Sequence, residues 1–546
     1  MTFVELLARL GGMGRFQVTY VTALAVPLLM LASHNLLQNF TAGVPEHHCR
    51  LWPAANGSAG DVPLLISIPS DGHRRPQRCH RYVVPQWHLL GVNGTVNDTA
   101  NGGAATEPCR DGWTYDDGVF AHTIVTEWDL VCESKTLRQV AQSIYMAGIL
   151  LGSGLFGVLS DKYGRRALLT WCYLQLGVTG AATAAAPTFA LYCLGRFLGG
   201  LAMAGVSLNS ASLCMEWIPT EARAIVGTIN GYCYTLGQFV LAAVAFGLPH
   251  WRWLQLVVSL PFFLFFLYSW LFVESARWQV ISGRPDLALK GLRKVARVNG
   301  RKAEGDKLSE EALRALVRRE PTLPGGALAT LVRTPGMRTV SCGVSFVWFS
   351  TSFAYYGLAM DLQGFGVDIY LSQLVFGAVD IPAKLASVLA ISCVGRRVAQ
   401  GGSLALAGVC ILANIVVPTE LQVLRMAFAV VGKGSLAASF NCAYIFSGEL
   451  FPTVIRQTGM GLGGTMARVG GMVAPLVRMA ADVTPALPLV IYGAAPIVSA
   501  IATCFLPETR NVPLPETVKD VERRAGHLKD EEVTVPLSTT KSKDGV

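Results

Sequence analysis

The chain has few charged residues for its length. Only 15% of its 546 residues are Asp, Glu, Lys or Arg, whereas 52% are hydrophobic and the mean hydropathy is +0.42. Soluble domains carry about 25% charged residues, so this composition excludes a soluble globular protein. The net charge of +9 does not indicate nucleic-acid binding, because the Lys and Arg residues lie in loops between apolar segments, as in the cytoplasmic loops of membrane proteins.

Motifs for catalysis are also lacking. The sequence has no glycine-rich nucleotide loop, no His and Cys cluster at metal-ligand spacing and no supported nucleophile arrangement. We therefore predict neither an enzyme nor a cofactor or metal site. A channel or receptor is the other class of membrane protein to consider, and the internal repeat described below argues against it.

Long apolar segments are what the chain has in abundance. Twelve of them are long enough to cross a bilayer of about 30 Å as helices of roughly 20 residues. They lie near residues 16–38, 138–160, 167–187, 189–213, 222–246, 250–273, 339–360, 370–392, 399–416, 422–447, 457–479 and 485–506. The prediction is an all-α membrane protein with twelve transmembrane helices.

Several polar motifs occur twice, with offsets between 231 and 234 residues. The pairs are Glu216 to Arg223 with Glu449 to Arg456, Gly164-Arg165-Arg166 with Gly395-Arg396-Arg397, and Val273-Glu274-Ser275 with Pro507-Glu508-Thr509. Each motif borders an apolar segment, so the repeated unit is a membrane bundle. Duplicated bundles are the basis of alternating-access transporters, and we predict two pseudo-symmetric halves of six helices each.

One long polar segment, residues 39–137, is predicted to be extracellular. It contains glycosylation sequons and an even number of cysteines, which together are typical of an oxidising compartment. The sequons begin at Asn39, Asn56, Asn93 and Asn97, and the cysteines are Cys49, Cys79, Cys109 and Cys132. We expect two disulfides, but four cysteines allow three pairings and the sequence does not choose between them.

A second polar segment, residues 274–338, is rich in Lys and Arg and is predicted to be cytoplasmic. The resulting organisation is a cytoplasmic N-terminus with the first helix (1–38), the extracellular loop (39–137), the rest of the first half (138–273), the cytoplasmic central loop (274–338), the second half (339–506) and a cytoplasmic tail (507–546).

Three basic residues lie near the middle of predicted helices, where an ionisable side chain is costly unless it faces a cavity or a partner. Lys384 follows Asp380 by four residues, so an internal ion pair is the alternative to a ligand contact. Lys433 lies between two glycines, and helix packing or ion pairing is its alternative. Arg468 has no acid within one helical turn, and a guanidinium binds a carboxylate in bidentate fashion. Arg468 is therefore the first candidate for binding an anion.

Aromatic and amide side chains within the predicted helices complete the candidate cavity. Rings supply apolar area, and tyrosine hydroxyls can donate to a carboxylate. Ordinary helix packing is the alternative for each of them. The candidates are Tyr234, Trp348, Tyr355, Tyr356, Phe440, Asn35 and Asn441.

The segment GVLSDKYGRR, residues 157–166, is a tight basic turn between the second and third predicted helices. It can pair with acids at neighbouring helix ends, either to fix topology or to act as a latch that holds one conformation. The second copy, residues 392–397, lacks the aspartate, so we expect a weaker latch there. The latch candidates are Asp161, Gly164, Arg165, Arg166, Glu216, Glu274, Arg396, Arg397 and Glu449.

This turn resembles the loop motif of the major facilitator superfamily. Within that superfamily the chain is similar, over nearly its full length, to solute carrier family 22, the organic ion transporters. The resemblance rests on Trp128 to Cys132, Glu274 to Trp278 and Pro452 to Gly459. The segments Ser33 to Thr41, Ala354 to Leu358 and Thr465 to Gly470 are similar to the renal organic anion transporters.

The resemblance implies a major facilitator fold and a plasma-membrane carrier, on the basolateral side of epithelium. Such a carrier takes up organic anions in exchange for an intracellular dicarboxylate such as α-ketoglutarate. The resemblance further implies that Lys384 and Arg468 recognise the anion, and that chloride is a further anion at the cationic site. A carrier of organic cations or zwitterions from the same family is the alternative, and the two cationic residues disfavour it.

Overall fold

The computed structural model describes residues 3–52, 64–71, 75–87, 104–219, 222–317, 327–452, 455–512, 515 and 517–526. Within these residues, a helix lies at each of the twelve predicted positions. They are α1 (Arg15–Leu36), α2 (Leu137–Tyr163), α3 (Arg165–Ala184), α4 (Phe189–Trp217), α5 (Arg223–Gly247), α6 (Trp251–Ser259 with Pro261–Ser269), α7 (Pro335–Ala359), α8 (Ile369–Cys393), α9 (Arg396–Val416), α10 (Gln422–Leu450), α11 (Arg456–Arg478) and α12 (Leu487–Thr503).

The described helices differ in how apolar they are. Eight of them, α1, α2, α4, α5, α6, α8, α9 and α10, are long and apolar enough by themselves to cross a membrane, whereas α12 is shorter, at 17 residues. α11 is less apolar because it carries Arg468 and six glycines. Helices of this kind are stable in a bilayer when neighbouring helices cover them.

α6 is interrupted, although the sequence predicts one helix over 250–273. Its first segment ends at Ser259 and its second begins at Pro261. Proline has no backbone N–H to donate within a helix and its ring crowds the preceding turn, so the break falls directly before it.

The side of the membrane that carries residues 39–137 is called the outer side below. Small strands lie in this loop, so the all-α prediction is incomplete there. His47–Cys49 pairs with Trp113–Tyr115, and His80–Tyr82 pairs with Thr106–Pro108, both antiparallel. Short helices cover Gln38–Thr41, Leu64–Ser67 and Ile124–Trp128, and a 3₁₀ turn covers Cys132–Ser134.

Two disulfides brace this loop, which confirms the expected oxidised cysteines. Cys49 is bonded to Cys109 and Cys79 to Cys132, with Cα–Cα distances of 5.0 and 5.7 Å. The structure thus selects one of the three pairings that the sequence allowed.

The structure contradicts the predicted glycosylation of Asn39. Asn39 is 2% exposed, and its Nδ2 atom donates a hydrogen bond to the Ala359 carbonyl oxygen at 2.7 Å. A glycan attached to that nitrogen would displace α7, so this burial argues against glycosylation at Asn39. The other sequons, at Asn56, Asn93 and Asn97, lie outside the described residues.

The central segment is largely helical rather than an open loop. Its helices are Ala276–Ile281, Pro285–Val298, Lys302–Asp306, Glu310–Val317 and Ala327–Arg333. Ala288, Leu292 and Val295 are fully buried and pack in one core with Leu6 of the N-terminal helix Phe3–Arg9. A further helix, Val518–Arg524, packs against the second half, and 3₁₀ turns cover Gln363–Phe365 and Met479–Asp482.

The two halves are joined on the outer side. Hydrogen bonds connect Asn39 to Ala359 and Ser143 to the Met472 carbonyl, and Gln363 exchanges two with the backbone of Val44. An ion pair of 2.7 Å joins Lys135 to Asp482, and the rings of Phe40 and Tyr370 stack at 5.5 Å. One hydrophobic core spans both halves at this level, whereas the cores nearer the opposite side are each formed within one half.

Candidate functional site

A cavity of about 280 Å³ lies between the halves. The first half contributes α1, α2 and α4 to its wall, and the second half contributes α7, α10 and α11. The lining residues are Leu31, Asn35, Met146, Ile149, Met203, Ala204, Ser207, Ser352, Tyr356, Phe440, Gly464, Ala467, Arg468 and Gly471. Four of the residues proposed from sequence, Asn35, Tyr356, Phe440 and Arg468, are therefore brought together here.

Arg468 is the cation of this cavity. It is half-buried near the midpoint of α11 and forms neither a hydrogen bond nor an ion pair with any other described residue. Because an unpaired charge at this depth is costly in lipid, water or an anion in the cavity must compensate it. A guanidinium has five N–H donors in a planar fork, which matches the geometry of a carboxylate.

Aromatic rings form the wall beside Arg468. Tyr356 and Phe440 line the cavity, and the ring of Tyr355 meets both edge-to-face, at centroid distances of 5.4 and 5.5 Å. Trp348 lies 6.2 Å from Phe440 and donates its indole N–H to the Ser447 hydroxyl at 3.0 Å. Tyr355 and Trp348 therefore support the lining ring of Phe440 and lie outside the cavity wall.

The first half supplies a polar wall. Asn35 lines the cavity, and its Oδ1 atom accepts a hydrogen bond from the Tyr145 hydroxyl at 2.7 Å. The Tyr234 hydroxyl lies close enough to interact with Asn35, Tyr355 and Tyr356. Sequence reasoning missed Tyr145, because the sequence does not show which of the tyrosines inside apolar helices contacts Asn35.

The internal ion pair of Asp380 with Lys384, which the sequence left open as the alternative to a ligand contact, is not formed. Asp380 instead pairs with Lys433 of α10, whose Nζ atom lies 3.2 Å from each carboxylate oxygen. Lys433 also donates to the Phe376 carbonyl at 2.7 Å and to Gln238 of α5 at 3.1 Å, and Gln238 in turn donates to Asp380 at 2.9 Å. Lys433 is fully buried in this network and does not line the cavity.

Lys384 lies one helical turn after Asp380 in α8, farther from the outer side. It is half-buried, and its Nζ atom lies 5.4 Å from the centroid of the Tyr232 ring of α5. Asn441 donates to the Ser387 hydroxyl at 2.7 Å, and Ser387 donates to the Lys384 carbonyl at 2.7 Å. Lys384 and Asn441 are thus outside the cavity wall.

In the first latch candidate, the Glu274 carboxylate binds the start of α3. Gly164 has a φ of +95°, a conformation that favours glycine, and a Cβ there would lie 2.6 Å from the Glu274 carboxylate. That carboxylate accepts the backbone N–H groups of Arg165 and Arg166 at 3.1 to 3.3 Å. The positive end of the helix dipole favours an anion at this point.

The second latch has the same geometry at the start of α9. Gly395 has a φ of +110°, and the Glu508 carboxylate accepts the backbone N–H groups of Arg396 and Arg397 at 2.9 and 3.1 Å. Glu508 was not among the latch residues proposed from sequence. The repeat could have found it, since Glu508 follows Glu274 by 234 residues.

The side-chain contacts of the two latches differ in number. Arg165 contacts Asp161 at 3.3 Å and Glu216 at 3.7 Å. Arg396 contacts Glu449 at 3.2 Å, and a serine stands where Asp161 stands in the first copy. Arg396 thus has fewer acidic contacts than Arg165 among the described residues, and the expectation of a weaker second latch stays a prediction.

Two six-helix halves around a central cavity, each half closed by the same latch, define a membrane transporter of the major facilitator type. The family model "Sugar (and other) transporter" matches residues 98–520. Solute carrier family 22 member 6 of Oryctolagus cuniculus is 54% identical over 96% of this chain and 95% of its own length, and member 6-A of Xenopus laevis is 51% identical over 100% and 98%. The chain belongs to solute carrier family 22.

Solved structures share the fold at low sequence identity. The proton:xylose symporter XylE, bound to 6-bromo-6-deoxy-D-glucose, has a TM-score of 0.55 at 15% identity, over 93% of this chain and 99% of that one. An inward open conformation of XylE from E. coli has a TM-score of 0.57 at 17% identity, over 74% and 92%. These comparisons confirm the predicted fold class.

Proposed function

We propose that this protein is a polyspecific organic anion transporter of the plasma membrane, on the basolateral side of epithelium, that exchanges external organic anions for an intracellular dicarboxylate such as α-ketoglutarate. The observation that carries the proposal is Arg468, a cation at the midpoint of α11 with no acidic partner among the described residues and with its side chain in the cavity wall. A carboxylate is the group that such a guanidinium binds best.

The contacts that close the outer side indicate how transport would proceed. The contacts that the described residues form between the halves lie at the outer ends and the middle of the helices, which supports an arrangement in which the cavity opens toward the cytoplasm. Alternating access requires these contacts to break while the cytoplasmic ends approach each other. A cationic cavity is costly to reorient when empty, so a bound anion lowers the barrier, and exchange is the expected mode.

The remaining assignments rest on this function. We propose that Tyr356, Phe440, Asn35 and Tyr234 contact the substrate, that Lys384 acts on the cytoplasmic entry path, and that chloride occupies the Arg468 site when substrate is absent. Residues 39–137 are proposed to be extracellular, with glycans on Asn56, Asn93 and Asn97. The central segment and the tail are proposed to be cytoplasmic.

Replacement of Arg468 tests the proposal. Arg468→Asp removes a charge-assisted contact worth roughly 1.5–3 kcal/mol, which weakens anion handling by about ten- to a hundredfold. Arg468→Lys should retain part of the function, because the charge remains and the fork geometry does not. Uptake of labelled p-aminohippurate, with and without preloaded α-ketoglutarate, is measured beside surface biotinylation. Normal uptake by a surface-resident Arg468→Asp protein refutes the site, and uptake indifferent to preloading refutes exchange.

A further inference from the structure

A buried arginine lies behind the polar wall of the cavity. Arg196 of α4 is 3% exposed and forms no ion pair with any other described residue. Its guanidinium lies over the ring of Tyr145, 4.0 Å from the centroid, and its Nη2 atom donates to the His34 carbonyl at 3.3 Å. Its Nε atom finds no hydrogen-bond acceptor in the described structure. Since a buried cation without a carboxylate is costly, packing alone does not account for this arginine.

Tyr145 connects this charge to the cavity. Its hydroxyl donates to Asn35 Oδ1 at 2.7 Å, and Asn35 is part of the cavity wall. A cation over the ring polarises the phenol, which strengthens the hydroxyl as a donor. The positive potential of Arg196 also favours the orientation in which the carbonyl end of the Asn35 amide faces Tyr145.

The NH₂ end of the same amide then faces the other way. The neighbouring group on that side is the Tyr234 hydroxyl, which interacts with Asn35 and lies beside Tyr356. Because an amide NH₂ only donates, the Tyr234 oxygen would be its acceptor in such a relay, and the Tyr234 hydroxyl hydrogen would point onward. A relay of this kind would run in one direction, from the observed Tyr145–Asn35 hydrogen bond to Tyr234.

We propose that Arg196 and Tyr145 are positioning residues that fix the direction of this relay, so that the wall built by the first half presents N–H and O–H donors to the transported anion. Without them, Asn35 is free to turn its amide by half a rotation. It would then offer a carbonyl oxygen, which repels a carboxylate. The inference rests on the proposed anion transport.

Removal of the Tyr145 hydroxyl tests the relay. Tyr145→Phe keeps the ring beneath Arg196, and we expect the KM for p-aminohippurate to rise roughly tenfold, the loss of one hydrogen bond to a charged ligand. The maximal rate per surface-resident transporter should stay within twofold, since the roughly isosteric ring preserves packing. Asn35→Ala should give a similar rise, and Tyr145→Phe added to Asn35→Ala should give no further rise, because both substitutions act on one contact.

Three variants separate a positioning role from a packing role. Tyr173→Phe removes the hydroxyl of a fully buried tyrosine in α3, within the core of the first half, and should leave KM unchanged. Arg196→Lys, which keeps the charge, should raise KM less than Arg196→Gln. If the Arg196 variants do not reach the surface, the comparison of Tyr145→Phe, Asn35→Ala and the double variant still tests the relay.

The outcomes distinguish this inference from the function on which it rests. Additive effects of Tyr145→Phe and Asn35→Ala, or an unchanged KM in Tyr145→Phe, overturn the relay while uptake by the unchanged protein upholds anion transport. Absence of p-aminohippurate uptake by the unchanged, surface-resident protein overturns the proposed function itself.

Discussion

At the same depth in the two halves, matching helix pairs meet through opposite kinds of contact. Gly148 of α2 and Gly200 of α4 each lie eleven residues after the start of their helices, and a Cβ on Gly200 would lie 2.4 Å from the Tyr145 carbonyl oxygen. Asp380 of α8 and Lys433 of α10 also lie eleven residues after their helix starts, and they form a buried ion pair. The helix pair of the first half therefore meets at two glycines, whereas the matching pair of the second half meets through an aspartate and a lysine.

The difference follows from what each pair contacts. The glycines bring two helices of one half together, whereas Lys433 also reaches Gln238 of α5 in the other half. The same holds at the cavity, where Thr235 of α5 stands at the position that matches Arg468 of α11. The two copies of the repeat thus differ at positions where the halves face each other, which is where alternating access requires contacts that form and break.

The largest expected effect comes from leaving one of the buried charges without its partner. Lys433→Met removes the cation and leaves Asp380 buried and unpaired, which costs about 3–5 kcal/mol. We expect this protein to be retained inside the cell. The double variant Asp380→Leu with Lys433→Met should recover most of the surface amount, because apolar replacement of a buried pair is often neutral.

Surface biotinylation and thermal unfolding in detergent measure this effect. Lys384→Met is the matched control, since Lys384 is a half-buried lysine of α8 without a carboxylate partner among the described residues. It should reach the surface normally. Equal intracellular retention of the single and the double variant would show that pairing with Asp380 is not the reason why the protein needs Lys433.

The second effect probes the glycine contact of the first half. Gly148→Ala places a Cβ 2.4 Å from the Phe197 carbonyl oxygen, so α4 must shift, at a cost of about 1–3 kcal/mol. Gly154→Ala on the same helix meets nothing within 4 Å and should be neutral or gain up to about 1 kcal/mol from helix propensity. A melting temperature that falls equally in both variants would contradict a packing role for Gly148.

These contacts also show how much of the site could be predicted from the sequence. Arg468, Tyr356 and Phe440 were found because polar and aromatic residues interrupt apolar segments, and a repeat of known offset placed the latches. The sequence did not identify Lys433 as the partner of Asp380, because spacing along one helix reports only neighbours on that helix, whereas Lys433 comes from another. Tertiary packing decides such choices, and no periodicity encodes it.

The outer loop shows the same limit. A sequon reports the residues that a glycosylating enzyme recognises, but it does not report burial, so Asn39 looked equivalent to Asn56 until its contact with Ala359 was seen. The even cysteine count predicted two disulfides, yet the pairing depended on which strands of the loop lie side by side. Arg196 gave no signal at all, because a single arginine at one end of an apolar segment is common near membrane surfaces.

The third prediction compares the two latch carboxylates, Glu274 and Glu508. Burial raises the pKa of Glu274, and the backbone N–H donors around it offset this only in part. Burial also acts to raise the pKa of Glu508, but the N–H groups of Arg396, Arg510 and Arg397 outweigh it and hold the pKa below its usual range. Charge on Glu508 therefore stabilises the fold, whereas charge on Glu274 carries a net cost.

The two carboxylates should consequently respond differently to neutralisation. Glu508→Gln should lower the free energy of unfolding at pH 7 by at most about 1.5 kcal/mol, the lower end of the range for hydrogen bonds to charged groups, because solvent screens this partly exposed carboxylate. Glu274→Gln should lower it by less. The contribution of Glu508 is present above its unfolded pKa and is lost as the pH falls through its lower folded pKa. Melting curves between pH 7 and pH 4 measure this. An effect of Glu508→Gln that grows on acidification would contradict the sign.

The smallest effect concerns the one acid that the two latches do not share. Asp161 is 77% exposed at its side chain and lies 3.3 Å from Arg165, so its ion pair is worth about 0.2–1 kcal/mol after solvent screening. Asp161→Ser makes the first latch like the second, and Ser392→Asp makes the second like the first, so their melting temperatures should shift by small amounts in opposite directions. Because the pairs are exposed, 0.5 M salt should remove both shifts, which a packing change would not do. Shifts of the same sign, or shifts that persist in salt, would mean that the residue at this position acts through the turn itself and not through the charge that it presents to the arginine.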